Sequence, residues 1–300
     1  MFVSGITGAA GMSFIESISP GRALLLFLAS FLSYGFGQAL TDCFQTDTDS
    51  LSSPYRPLVR GLITTKQLAS VSISGLFLCV FVFSISNPVN LLLGMLGATG
   101  LATYTAFKRR WWSGPFYNAW IVVVLFLMAN NAILHSFSLE RDYAFFAAIA
   151  AVLFGYANFV LGGYFKDIEA DRATGYNTMP VVWGRRMSAL VSDVLAVIAS
   201  GATVGALAGM VGGDIGILPL ATIMLCLGGG VTASIMAQIR LHGVTRDAGA
   251  HAAIVPLVHA YVLLLSAIVC AQKPAWAIPL AIHYVLFVAI MRSRPEQSQI

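Results

Sequence analysis

Two stretches of this 300-residue chain carry the residue types from which a charged-ligand site is built. Residues 41–57 read TDCFQTDTDSLSSPYRP, and residues 166–180 read KDIEADRATGYNTMP. Each helical residue advances about 100°, so a helix continued through the first stretch puts Asp42, Gln45 and Asp49 on one face and Asp47 on another. In the second, Asp167 and Asp171 are four apart and stack, with Glu169 opposite. Carboxylates aligned this way repel one another and raise one another's pKa unless a cation lies between them. Oxygen ligands that leave room for water and phosphate suit Mg²⁺, and neither stretch contains a histidine. Solvated loop acids are the simpler explanation for one such cluster. Two clusters on matched helical faces favour the metal.

Basic residues attend both clusters. Arg56 and Arg60 follow the first, Lys166 and Arg172 flank the second, and Lys108, Arg109 and Arg110 lie between them. Arg109 and Arg110 read as membrane-interface anchors. Lys108 has a further cue in Tyr104, one helical turn earlier, which puts a hydroxyl and an ammonium on one face. Acids for a metal, with Lys and Arg for direct contact, suit a ligand rich in phosphate charge. Aromatic residues near these stretches (Phe107, Trp111, Trp112, Tyr156, Phe159, Tyr164 among them) give weaker support for a long hydrocarbon tail or a stabilised carbocation.

The elements that must position these groups are membrane helices. Hydrophobic residues make up 58% of the chain and charged ones 10%, against about 25% charged in soluble domains. The mean hydropathy is +0.81. Apolar runs predict an all-α, polytopic transmembrane bundle with spans near 22–42, 66–86, 90–107, 118–136, 144–165, 187–211, 217–238, 250–271 and 275–291, plus a short candidate at 1–17. Alternating sides puts fourteen Lys and Arg on one face and only Arg22, Arg141 and Lys273 on the other. The basic face, which holds both acidic stretches, the long loops and the C-terminal SRPEQSQI, is expected to be cytoplasmic. Short turns such as GGDIG at 212–216 fall opposite. Residues 1–300 read as one domain. The opening residues lack a basic stretch ahead of the apolar part, so no separate secretory signal is expected. The four scattered cysteines read as packing residues, and the net charge of +4 is a matter of topology, so no nucleic-acid partner is expected.

These residues resemble the motifs of the UbiA superfamily of intramembrane aromatic and lipid prenyltransferases. That family's first motif, N-D-x-x-D-x-x-x-D with a following R-P, is matched by TDCFQTDTDSLSSPYRP. Its Y-x-x-x-K is matched by YTAFK at 104–108, its helix-opening Asn by Asn118, and its D-x-x-x-D with a later Gly and Pro by DIEADRATGYNTMP. The likeness runs in order over roughly residues 1 to 240. It implies about nine spans around a central cavity capped by the motif loops, and two Mg²⁺ ions bridging aspartates to an isoprenyl diphosphate whose prenyl group passes to a lipophilic or aromatic acceptor. By resemblance, Asp42, Gln45 and Asp49 hold one metal, Asp167 and Asp171 the other. Arg56, Lys108, Lys166 and Arg172 contact diphosphate. Tyr104, Lys108 and Asn118 serve catalysis. The implied partners are a prenyl diphosphate donor, an acceptor of unspecified identity and membrane lipids.

The chain departs from the motif at Thr41, in place of Asn, and at Gln45, in place of Asp. A neutral amide can still coordinate Mg²⁺ but removes one negative charge, so the site is weaker or differently shaped. Asp47 could replace it only if the helix unwinds after Cys43. A terpene cyclase using the same ionisation chemistry is the alternative reading. A transporter is disfavoured because these acids lie at span ends, away from the bilayer midplane.

Overall fold

The computed structural model describes residues 1–133, 142–210 and 216–293. Arg141, Arg294, residues 134–136 and 211, the turn at 212–215 and the rest of the C-terminal segment lie outside the described residues. Within them the chain is helical: α1 (Phe2–Ser13), α2 (Pro20–Asp42), α3 (Thr46–Ser52), α4 (Thr65–Ser84), α5 (Val89–Arg110), α6 (Gly114–Asn131), α7 (Tyr143–Tyr164), α8 (Ile168–Ala173), α9 (Met179–Met210), α10 (Ile217–His242), α11 (His251–Gln272) and α12 (Ala277–Ser293), with 3₁₀ turns at Asp247–Ala250 and Pro274–Trp276. Among the described residues eight helical segments are long and apolar enough to cross a membrane: α2, α4, α5, α7, α9 and α10, together with α11 and α12 each taken with the 3₁₀ turn before it. This is an integral membrane protein. The expected span at 118–136 is α6, only 18 residues long, opened by Gly114-Pro115 and closed by Asn130-Asn131.

The candidate at 1–17 resolves into α1. Its 12 residues rise about 18 Å, short of an apolar core about 30 Å thick. From Val3 to Ser13 every residue is buried, against α2, α6 and α11. The α1–α6 crossing is close: a Cβ on Gly11 would collide with the carbonyl oxygen of Phe126, and Asn130 Nδ2 donates to the Gly11 carbonyl at 3.0 Å.

Several polar side chains in the apolar layer find partners that replace the water absent there. Asn90 Nδ2 donates to the carbonyls of Phe83 (2.8 Å) and Met128 (3.0 Å), tying α4, α5 and α6 at the end remote from the acidic stretches. Arg22 reaches Ser86 and the Ala132 carbonyl at that same end, and Lys273 reaches the carbonyl of Glu16. Pro256 lies inside α11 and cannot donate to the Ala252 carbonyl four residues earlier. Arg240 of α10 donates to that carbonyl at 2.9 Å, so a residue explicable by membrane sidedness also satisfies a backbone orphan.

Two of the long polar segments between spans contain helices of their own. Residues 43–65 hold α3 and residues 166–186 hold α8 and the start of α9. α3 and α8 pack together, with Thr48 and Thr174 hydroxyls 2.9 Å apart. Gly175 (φ +74°) turns the chain out of α8, and Gly184 (φ +78°) kinks α9 near its start; both conformations are costly for any other residue.

The tight α1–α6 contact makes a direct prediction. Gly11→Ala should destabilise the fold by about 1–3 kcal/mol, the usual cost of overpacking, read as a lower melting temperature in detergent. Gly21→Ala, where a Cβ meets nothing within 4 Å, should not.

Candidate active site

α2 does not continue through the first acidic stretch. Three successive i→i−3 backbone bonds, from Cys43, Phe44 and Gln45 to Leu40, Thr41 and Asp42, tighten its end, and Gln45 takes non-helical dihedrals (φ −122°, ψ 19°) before α3 begins. The continuous face expected for Asp42, Gln45 and Asp49 is therefore two helix ends meeting at a corner. Arg56 closes that corner: its Nη1 lies 2.7 Å from both Asp42 Oδ1 and Asp49 Oδ2. Gln38, one turn before Asp42, donates to the same Oδ1 at 2.8 Å.

The helix does unwind after Cys43, yet Asp47 does not turn inward. It is exposed and paired with Arg109 and the Tyr176 hydroxyl. Arg109 thus holds α3 to α5 as well as standing at an interface.

The second stretch divides its acids between two surroundings. Asp167 is the N-cap residue of α8, makes no side-chain bond to its own helix, and faces a cavity. Asp171 is fully buried. Its Oδ1 is 3.1 Å from Lys108 Nζ and its Oδ2 accepts from the Thr178 hydroxyl at 3.1 Å. Lys108 is itself 4% exposed, donates to Gln45 Oε1 at 3.4 Å, and lies 5.2 and 5.0 Å from the ring centroids of Tyr164 and Tyr176. Tyr104 shares a 2.7 Å hydrogen bond with the Tyr164 hydroxyl and faces Asn118.

A cavity of about 540 Å³ joins these groups. Its polar end carries Asp42, Gln45, Asp49, Arg56, Tyr104, Lys108, Asn118, Lys166 and Asp167. From there it runs along α2, α4, α5 and α6 to Phe83 and Met128, and toward α1 and α12 at Phe2 and Phe287, walled mostly by apolar side chains. Asp47, Asp171 and Arg172 do not line it, and Arg172 is exposed.

Burial dominates the electrostatics. It pushes the Asp49 carboxyl up to about 6; Arg56 pulls it down, while Asp42 and Asp167 add to the rise. Burial likewise raises Asp171, offset in part by Lys108. Burial also opposes the charge on Arg56, but Asp42 and Asp49 outweigh it and hold the guanidinium above its ordinary value. The donor set at the cavity wall, three carboxylates and one amide, is all oxygen and fits a hard divalent cation. Among the described residues no three acidic, histidine or cysteine side chains gather closely enough to hold an ion unaided. A cation here would take further oxygens from water and a bound ligand, which is the habit of Mg²⁺.

The sequence model of the UbiA prenyltransferase family matches residues 2–242. The chain belongs to the UbiA prenyltransferase family. It is therefore a prenyltransferase, as the motif resemblance implied. Similar proteins include the digeranylgeranylglyceryl phosphate synthases of Pyrococcus horikoshii, 28% identical over 64% of this chain and 68% of that one, and of Thermococcus kodakarensis, 29% identical over 65% and 70%. Among solved structures, a UbiA homologue from Aeropyrum pernix superposes with a TM-score of 0.73 over 89% of this chain and 95% of that one, at 17% identity. A UbiA homologue from Archaeoglobus fulgidus, solved with DMAPP and Mg²⁺, does so with a TM-score of 0.65 over 91% and 95%, at 16% identity. These likenesses establish the UbiA fold.

Residue spacing did not single out Gln38, Thr178 or Tyr176. Gln38 stands one turn before Asp42 and was legible in principle; Thr178 and Tyr176 reach the site only through the turn after α8. The raised Asp49 carboxyl carries a testable sign. Between 3.8 and about 6 the folded protein keeps a proton there that the unfolded chain releases. The stabilisation is complete at low pH and is lost as pH rises through about 6. In Mg²⁺-free detergent the melting temperature should fall over that window, and Asp49→Asn should flatten the fall.

Proposed function

We propose that the protein transfers an isoprenyl group from a prenyl diphosphate to a lipophilic acceptor within the membrane, with Mg²⁺ at the polar end of the cavity. The observation that carries this reading is the cavity itself, whose one end gathers three aspartates and the cations Arg56, Lys108 and Lys166, while the remainder is apolar and long. Its volume lies in the range of about 300–1,000 Å³ usual for small-molecule sites. One end suits a diphosphate and the other a hydrocarbon chain.

In this reading Asp42, Asp49 and Asp167, with Gln45 as a neutral ligand, hold two Mg²⁺ ions, which supply charge neutralisation for the leaving diphosphate when bound. Arg56 and Lys166 contact the diphosphate oxygens directly. Their fixed positive charge opposes the build-up of negative charge as the allylic C–O bond breaks. Tyr156, Phe159 and Tyr164 line the wall beside the polar end, where their ring faces stabilise the allylic cation, and the apolar surround keeps water from quenching it. Tyr104, fixed between Tyr164 and Asn118, orients the reacting end. Lys108 holds Asp171 and Gln45 in place, and Asp171 acts through Lys108. The exposed Arg172 guides diphosphate from outside the cavity. The basic loops face the cytoplasm, so the donor enters from that side.

The decisive assay uses purified protein in lipid vesicles with farnesyl or geranylgeranyl diphosphate. A glyceryl phosphate lipid acceptor should be tried first, given the product named for the archaeal relatives, followed by aromatic acceptors. Diphosphate release should require both Mg²⁺ and an acceptor, and EDTA should abolish it. Asp42→Ala and Asp49→Ala should each lower kcat/KM by on the order of 10²–10³, whereas Asp47→Ala should stay close to wild type. Cyclic hydrocarbons or alcohols formed without an acceptor would overturn the proposed transfer to an external lipophilic acceptor.

A further inference from the structure

An aspartate at a helix N-cap ordinarily accepts hydrogen bonds from the backbone N–H groups of the first turn. Asp167 occupies that position at α8 and makes no such bond; its carboxylate is turned to the cavity. The first-turn N–H of Glu169 is instead satisfied from elsewhere. It donates to Asp247 Oδ2 at 2.7 Å, and Asp247 is anchored on its other oxygen by Arg185 at the kink of α9. Asp247 stands on the 3₁₀ turn between α10 and α11, beyond residues 2–242 that match the family.

We propose that Asp247 is a positioning residue of the diphosphate site: by capping α8 in place of Asp167, it frees the Asp167 carboxylate for the ligand and fixes the helix that carries Asp171. The assignment rests on the functional reading above only in what the freed carboxylate binds. Arg185 neutralises and orients Asp247, whose side chain is 15% exposed. Three segments distant in sequence, α8, the α9 kink and the α10–α11 turn, thereby close on the site. Without Asp247, Asp167 can fall back to cap its own helix, which withdraws it from the cavity.

Two measurements on the full-length protein test this. Hydrogen exchange without substrate should show the backbone of α8 opening faster in Asp247→Ala, with α1, which does not pack on α8, unchanged. In steady state, Asp247→Ala should raise the half-saturating Mg²⁺ concentration by about 10-fold, the usual effect of losing a partner behind a metal ligand, while kcat at saturating Mg²⁺ stays near wild type. Asp247→Asn keeps an oxygen that can accept from Glu169 and should restore most of the Mg²⁺ response. Unchanged exchange in α8, an unchanged Mg²⁺ requirement, or parallel losses of kcat, Mg²⁺ response and melting temperature that Asn does not rescue, would each overturn it. A wild-type protein that consumes no prenyl diphosphate with Mg²⁺ would instead defeat the functional reading, and the exchange result would still decide the cap.

Discussion

A buried ammonium must find a counter-charge, and much of the site follows from how Lys108 does so. Removed from water at the end of α5, it is compensated by Asp171 of α8, the Gln45 amide oxygen at the α2–α3 corner, and two tyrosine rings. Leaving either charge unpaired would cost several kcal/mol, because desolvation is not recovered. That cost binds α5, α8 and the corner before α3 into one unit. Arg56 does the same for Asp42 and Asp49, and Arg109 for the exposed Asp47, while also donating to the hydroxyl of the buried Tyr176. The acidic stretches are stitched to cations before any ligand arrives, which keeps a cluster of like charges from splaying the helix ends.

Membrane helices were legible because apolar runs of span length have few other uses, and every expected span contains a helix. The residue types at the site were legible for a related reason: carboxylates and cations at the ends of oily segments have little to gain from packing. Placement was less legible where it depended on local backbone detail. Helical spacing gives Asp42, Gln45 and Asp49 one face only if α2 runs on through Asp49; three tight turns end it at Asp42, and Arg56 brings Asp49 back. Asp47 stays outside although the helix unwinds, because unwinding alone does not choose which side chain turns inward. Arg109, tied to α5, captured it.

Placement was least legible where partners are far apart in sequence. The four-residue spacing of Asp167 and Asp171 suggested a shared face, but the turn at Gly175 brings Thr178 back to one acid and the α5 helix brings Lys108 to it, leaving the other to the cavity. Arg172, beside them in sequence, is carried to the surface. Nothing local to Arg240 announces that Pro256, on the next helix, leaves a carbonyl for it to satisfy. Periodicity predicts which residues share a helix face and says nothing of which neighbour that face will meet.

Gln45 is where these constraints converge. A carboxylate there would stand as near to Lys108 as the amide oxygen does, at 3.4 Å, and would compete with Asp171 for one ammonium. The amide avoids that contest: it accepts from Lys108 without adding charge, and Asp171 keeps its counter-ion. One negative charge fewer at the cavity's polar end also lowers the repulsion among Asp42, Asp49 and Asp167 in the absence of a cation. Under the proposed function the same change weakens attraction for Mg²⁺, so more of the cation binding would come from the diphosphate oxygens. Binding of metal and donor would then be more strongly coupled than with aspartate, because neither alone would complete the coordination.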